Sequence, residues 1–157
     1  NQEGWDKFFL PTFLILILAW LTLITCDAVR FHWSQMPVWL QIAGGLILLG
    51  SFVIIYLTFW ENSYLSPTVR LQEDRGHTVV STGLYRFVRH PMYTGIVFFS
   101  LGTALLLGSW PGLLCAPIFI GLIALRAVLE ESMLRDELPG YKAYMARVNY
   151  RFIPHVW

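Results

Sequence analysis

Tyr85-Arg86-Phe87-Val88-Arg89-His90-Pro91-Met92-Tyr93-Thr94-Gly95 packs two arginines, a histidine and two tyrosines into the last polar turn before a long apolar run. Pro91 stands where a helix begins, because its fixed φ suits the first turn and its missing N–H has no intrahelical partner there. The run that follows, 92–108, carries no charge. After Ser109-Trp110-Pro111-Gly112, expected as a tight turn, a second apolar run covers 113–129. The two runs predict a helical hairpin in a membrane. From Pro91 to Ser109 is eighteen residues, and from Gly112 to Glu130 is eighteen again. Each arm therefore climbs roughly 27 Å, which returns His90 and the pair Glu130-Glu131 to one level.

Working outward, composition agrees with this reading. The chain of 157 residues is 56% hydrophobic and 13% charged, whereas about a quarter of residues are charged in a soluble domain. A net charge of +1 provides no basic stripe, so nucleic acid is not an expected partner. Cys26 and Cys115 lie in apolar runs, and His32, His77 and His155 are scattered; no metal site is predicted.

Upstream, 8–26 and 38–60 are two further uncharged runs long enough to span. Pro11 is expected in the first turn of the first. Asp27 to Pro37 reads as an interfacial loop, and Gly44, Gly45 and Gly50 are small residues that let another helix approach closely. Residues 61–91 form a polar connector, with a turn at Asp74-Arg75-Gly76 and a short extended piece at Val79-Val80. Residues 130–157 form a polar, aromatic tail in two short helical pieces, broken at Pro139-Gly140. Pro117 is a candidate kink in the second hairpin arm. The expectation is one all-α integral membrane domain with about four transmembrane helices, plus short helices closing a pocket. The opening Asn-Gln-Glu-Gly-Trp-Asp-Lys lacks the basic and apolar regions of a signal peptide, and further spans are expected before it.

Ten of the eleven Lys and Arg residues, all but Arg30, fall on one side of this arrangement. The positive-inside rule makes that side, with the connector and the tail, cytoplasmic. The hairpin base then gathers Arg89, His90 and Tyr93 from the rising arm and Glu130 and Glu131 from the falling arm. Tyr141, Tyr144, Met145 and Val148 recur at spacings of three and four, one face of a helix that can fold over the base as a lid. Arg147 lies near the edge of that face, and Arg151 is placed to pair with lipid phosphate. Each residue type also has a plainer use. Arginines and tyrosines at helix ends anchor to the interface, adjacent Glu130 and Glu131 point in different directions, and either can pair with Arg126 or Arg135.

Thr82-Gly83-Leu84-Tyr85-Arg86, Arg89-His90-Pro91-Met92-Tyr93-Thr94-Gly95, Glu130-Glu131 with Leu134, Leu138-Pro139-Gly140-Tyr141, Tyr144 to Arg147 and Ile153-Pro154 together resemble the isoprenylcysteine carboxyl methyltransferase family and its bacterial relatives. The resemblance covers roughly residues 70–157. It implies a membrane enzyme that binds S-adenosylmethionine between hairpin base and tail, through Tyr85, His90, Tyr93, Gly95, Glu130, Glu131, Tyr141 and Tyr144, and acts on a lipophilic small molecule or lipid. Phospholipid methyltransferases and sterol reductases share the layout. The residue types suit the cofactor, whose sulfonium, carboxylate, amine, ribose and adenine call for aromatic faces, a guanidinium, carboxylates and an apolar slot. A carboxylate acceptor is already anionic and needs alignment and a cation, supplied by Arg89 or Arg147. An amine acceptor needs a base, Glu131 or His90. The alternatives are an NADPH-dependent reductase of a sterol-like substrate and a non-enzymatic membrane module. Membrane lipids are expected partners; no protein partner is indicated.

The topology predicts that, with Cys26 and Cys115 replaced, a cysteine at Gln35 reacts with an impermeant thiol reagent added outside intact cells and one at Gln72 does not. The reverse labelling pattern would invert the assignment.

Overall fold

The computed structural model describes residues 4–69 and 76–157. The described residues are helical, without a strand: α1 (Asp6–Thr25), α2 (Val38–Glu61), α3 (Pro91–Leu106), α4 (Trp110–Glu137) and the short α5 (Tyr141–Arg147). By length and composition, α1 with the π-helical turn Cys26–Phe31 that continues it, α2 and α4 can each cross a membrane, and α3 is a shorter apolar helix. At 16 residues, α3 rises about 24 Å. The fold is that of an all-α membrane protein, as expected, and its departures from the sequence reading lie at the helix ends.

α1 begins at Asp6, before the uncharged run, so Pro11 falls inside the helix and not in its first turn. Asp27 is not part of a solvated loop. The π-helical turn points it inward, where it is fully buried. Its Oδ1 accepts from the Ser34 amide at 2.9 Å, and its Oδ2 accepts from the hydroxyls of Ser34 and Ser109, both at 2.6 Å. Ser109 Oγ in turn accepts from Gly112 N at 3.1 Å and caps α4. A buried carboxylate is tolerable only when its lone pairs are filled in this way. The cap also corrects the expected turn at 109–112: Trp110 and Pro111 already belong to α4, and the chain reverses at Gly108, whose φ of 72° suits glycine. Val79 and Val80 form no strand; they pack, partly buried, against Tyr85, Leu138, Tyr141 and Tyr144. Asp74 and Arg75 of the predicted turn lie outside the described residues. α4 runs on to Glu137, so Glu130 and Glu131 belong to the helix and not to the tail.

The closest helix pair is α2 with α3, and glycine permits it from both sides. A Cβ added to Gly102 would lie 2.7 Å from Leu48 N, and one added to Gly95 would lie 2.5 Å from Ile55 Cγ1. A Cβ on Gly44 would strike the backbone of Leu106, whereas Gly50 has nothing within 4 Å. Of the three glycines expected to admit a neighbour, Gly44 does so and Gly50 does not. α1 packs on α4 through Trp20, Ile24 and Phe119, and Trp20 Nε1 donates to Gly112 O at 2.8 Å. Val97, Ile123, Ala127 and Phe152 join α3, α4 and the tail.

In a lipid environment close backbone approach is a main source of helix association. Gly102→Ala should therefore destabilise the detergent-solubilised protein by about 1–3 kcal/mol, the usual cost of overpacking, measured by reversible unfolding in mixed micelles. Gly50→Ala should be neutral or slightly stabilising. Equal effects would mean that α2 and α3 do not meet through these glycines.

Candidate active site

Glu131 is the point where the hairpin and the tail are joined. It is buried, and its Oε1 accepts from Arg89 Nε at 2.5 Å and lies 3.1 Å from His90 Nε2. Its Oε2 accepts from Arg151 Nε at 2.8 Å and from Arg89 Nη2 at 3.3 Å. The adjacent Arg89-His90 dipeptide also pairs its backbone with the tail. Arg89 N donates to Tyr150 O and His90 N to Arg151 O, each at 2.9 Å. Arg89 Nη1 reaches the carbonyls of Val148 at 2.8 Å and Asn149 at 3.1 Å. His90, at the N-cap of α3, makes no side-chain cap hydrogen bond; its ring turns to Glu131 and stacks on Tyr93, with centroids 5.3 Å apart and planes at 16°.

Beside this junction lies a cavity of about 400 Å³, within the size range of small-molecule sites. Arg89, His90, Tyr93, Glu130, Tyr85, Tyr141 and Tyr144 all line it, with Met92, Met133, Leu134 and Leu138 as apolar wall. Tyr93 donates its hydroxyl to Glu130 Oε2 at 2.5 Å, which turns that carboxylate to the cavity while Glu131 faces the junction. Tyr144 donates to Tyr85 O at 2.8 Å, and Asn62 Nδ2 donates to Tyr85 Oη at 2.8 Å. Burial pushes the phenols of Tyr85, Tyr141 and Tyr144 well above their ordinary range, so they act as neutral groups at physiological pH. Burial likewise holds His77, another lining residue, below its usual value against the pull of Glu130, which favours the neutral ring.

Three expected site residues are not among those that line the cavity. Gly95 is buried against Ile55 of α2. Glu131 has both oxygens committed to the junction. Arg147 is exposed and lines a second, smaller cavity of about 200 Å³. Arg151, expected to reach lipid phosphate, is drawn to Glu131 and lies over the Trp157 ring at 4.6 Å.

Other residues enter the site without having been singled out. Arg126, one turn before Glu130, lines the cavity. Instead of pairing with Glu130 or Glu131 it forms a buried ion pair with Asp6 at 3.1 Å and donates to Pro67 O at 2.5 Å. Asp6 Oδ2 accepts from Val69 N at 2.9 Å. These contacts pin residues 62–69 across the cavity as a wall, with Tyr64 stacked on His77 at 4.5 Å. The i,i+4 relation of Arg126 to Glu130 was visible in the sequence, but its partner, 120 positions away, was not.

Known proteins are similar to this chain in sequence and in fold. The S-isoprenylcysteine O-methyltransferase of Schizosaccharomyces pombe is 30% identical over 106 residues, 66% of this chain and 45% of that protein. The human protein of the same name is 31% identical over 81 residues, 50% of this chain and 28% of its own length. The solved structure of the eukaryotic intramembrane Ras methyltransferase ICMT (isoprenylcysteine carboxyl methyltransferase) superposes with a TM-score of 0.75 at 22% identity, covering 93% of this chain and 53% of that one. That likeness is one of fold. The chain thus spans half or less of the length of these curated relatives and about half of the solved chain. A family model described as phospholipid methyltransferase matches residues 39–138, from α2 to the end of α4, and by that match the chain belongs to the phospholipid methyltransferase family.

Proposed function

We propose that this protein is an S-adenosylmethionine-dependent methyltransferase of the membrane, acting on a lipophilic acceptor that carries a carboxylate, of the isoprenylcysteine kind. The observation that carries this reading is the cavity at the hairpin base, where Tyr93, Glu130, His90 and Arg89 meet under α5 in a chain of methyltransferase family. The donor set fits the cofactor. Glu130 can take its amine or ribose hydroxyls, the His90 and Tyr93 faces suit a sulfonium, and Leu134 and Leu138 offer an apolar surface for adenine. When bound, S-adenosylmethionine supplies an electrophilic methyl group on a sulfonium, a leaving group that needs no protonation.

What remains for the protein is to bind, orient and exclude water. Arg89 and Arg126, each already paired with a carboxylate, still place guanidinium groups along one side of the cavity, and their N–H donors suit an anionic acceptor. Glu131 is held by Arg89, His90 and Arg151, so its lone pairs are engaged and it is poorly placed to deprotonate an amine. A carboxylate acceptor requires no such base. The charge distribution along the chain supports a cytoplasmic position for the cavity end of the bundle, and the lipid portion of the acceptor enters from the side, between helices.

The test is methyl transfer by the chain in lipid nanodiscs, with methyl-labelled S-adenosylmethionine and either a prenylated cysteine with a free carboxylate or an amino phospholipid. Label should pass to the former. Tyr93→Phe, which removes the hydrogen bond to Glu130, should weaken cofactor binding by about 1.5 kcal/mol or more, about tenfold. Transfer only to the amine would reject the carboxylate acceptor, and binding of NADPH in place of S-adenosylmethionine would reject methyl transfer.

A further inference from the structure

The second cavity is lined by residues that stand close in sequence to those lining the first. Tyr85 and Tyr144 face the large cavity; their neighbours Arg86 and Arg147 line a separate hollow of about 200 Å³ with Phe87, Asn149, Tyr150 and His155. Arg86 comes from the 3₁₀ turn Gly83–Arg86 and Arg147 from the last residue of α5, 61 positions later. Neither has a carboxylate within ion-pair distance among the described residues, whereas Arg89, Arg126, Arg135 and Arg151 each do. Two unneutralised guanidinium groups on one concavity repel each other, and the arrangement is relieved by an anion between them. The rim is apolar and open: Phe87 is 62% exposed and Val156, next to His155, 74%.

We propose that this hollow binds a phosphate-bearing anion, held by Arg86 and Arg147, with the headgroup of an anionic phospholipid as the source that the apolar rim favours. The inference does not depend on methyl transfer, but it has a consequence for the first cavity. Residues 148–150, which line the hollow, are the same residues whose carbonyls accept from Arg89. An anion that fixes this segment also favours the Arg89–Glu131 junction that closes the larger site, which would let the charge of the surrounding bilayer bias that closure.

The experiment is a binding titration of the detergent-solubilised chain with three probes: dioctanoyl phosphatidylglycerol, dioctanoyl phosphatidylcholine and sodium phosphate. Phosphatidylglycerol should bind about tenfold or more tightly than phosphatidylcholine, and the double variant Arg86→Gln/Arg147→Gln should lose that advantage. The singles should each lose part of it, so that a double variant that fails to fold does not leave the question open. Arg135→Gln/Lys142→Gln removes the same charge from residues that do not line the hollow and should keep it. Phosphate that binds as tightly as the lipid, and is lost in the same variants, supports the site with a free anion as occupant. Equal binding of the two lipids, undiminished binding in the Arg86 and Arg147 variants, or equal loss in the Arg135/Lys142 control would overturn the proposal.

Discussion

One buried carboxylate, that of Glu131, holds the guanidinium groups of Arg89 and Arg151 and the His90 ring, which reach it from the base of α3 and from the tail. Breaking such a group by removing the acid leaves Arg89 buried without its counter-charge, which typically costs 3–5 kcal/mol. The junction therefore does more than close a site. It fixes where the tail crosses the hairpin, because the same Arg89 that pairs with Glu131 also takes the carbonyls of Val148 and Asn149. Once that crossing is set, α5 can lay Tyr141 and Tyr144 against Tyr85 and Leu138, and the cavity acquires its roof.

The rest of the bundle supplies rigid supports for that crossing. Glycine contacts hold α2 against α3, so the end of α2 and the start of α3 bracket the cavity. At the opposite end of the hairpin, Asp27 ties α1, the following loop and the cap of α4 together through two serines. On the cavity side, Asp6 and Arg126 draw residues 67 and 69 inward. In each case a charge in an apolar setting is stabilised by an ion pair or by hydrogen bonds, so each acts as a positional constraint between segments far apart in sequence. These constraints orient the site: Tyr93 turns Glu130 to the cavity while Glu131 is engaged at the junction.

Much of this was legible in the sequence, and the reasons for the remainder are physical. The uncharged runs and Pro91 located the helices, and the equal arms of the hairpin brought His90 and Glu131 to one level, where the structure has them 3.1 Å apart. The periodicity of Tyr141, Tyr144 and Val148 identified the buried face of α5. Asp27 was misread because an aspartate beside Arg30, Trp33 and Pro37 has the composition of an interfacial loop; that it is buried depends on Ser109, 82 positions away. Arg126 was read by its charge alone, since nothing local indicates Asp6. Gly95 lies in the motif yet serves helix packing, and Arg147 lies at the edge of the helical face, where spacing alone did not decide which cavity it lines. Periodicity reports which face is buried; it does not report what a long charged side chain finds once the segments have assembled.

The central claim is that Glu131 sets the crossing of tail and hairpin, and native-state hydrogen exchange tests it at the amides that the crossing protects. The Arg89 and His90 amides bond to Tyr150 O and Arg151 O, so Glu131→Gln, which keeps shape and removes charge, should reduce their protection by at least about tenfold while α2 amides are unaffected. Unchanged protection at Arg89 and His90 in a folded Glu131→Gln protein would contradict the account and would assign the crossing to apolar packing of α5 alone.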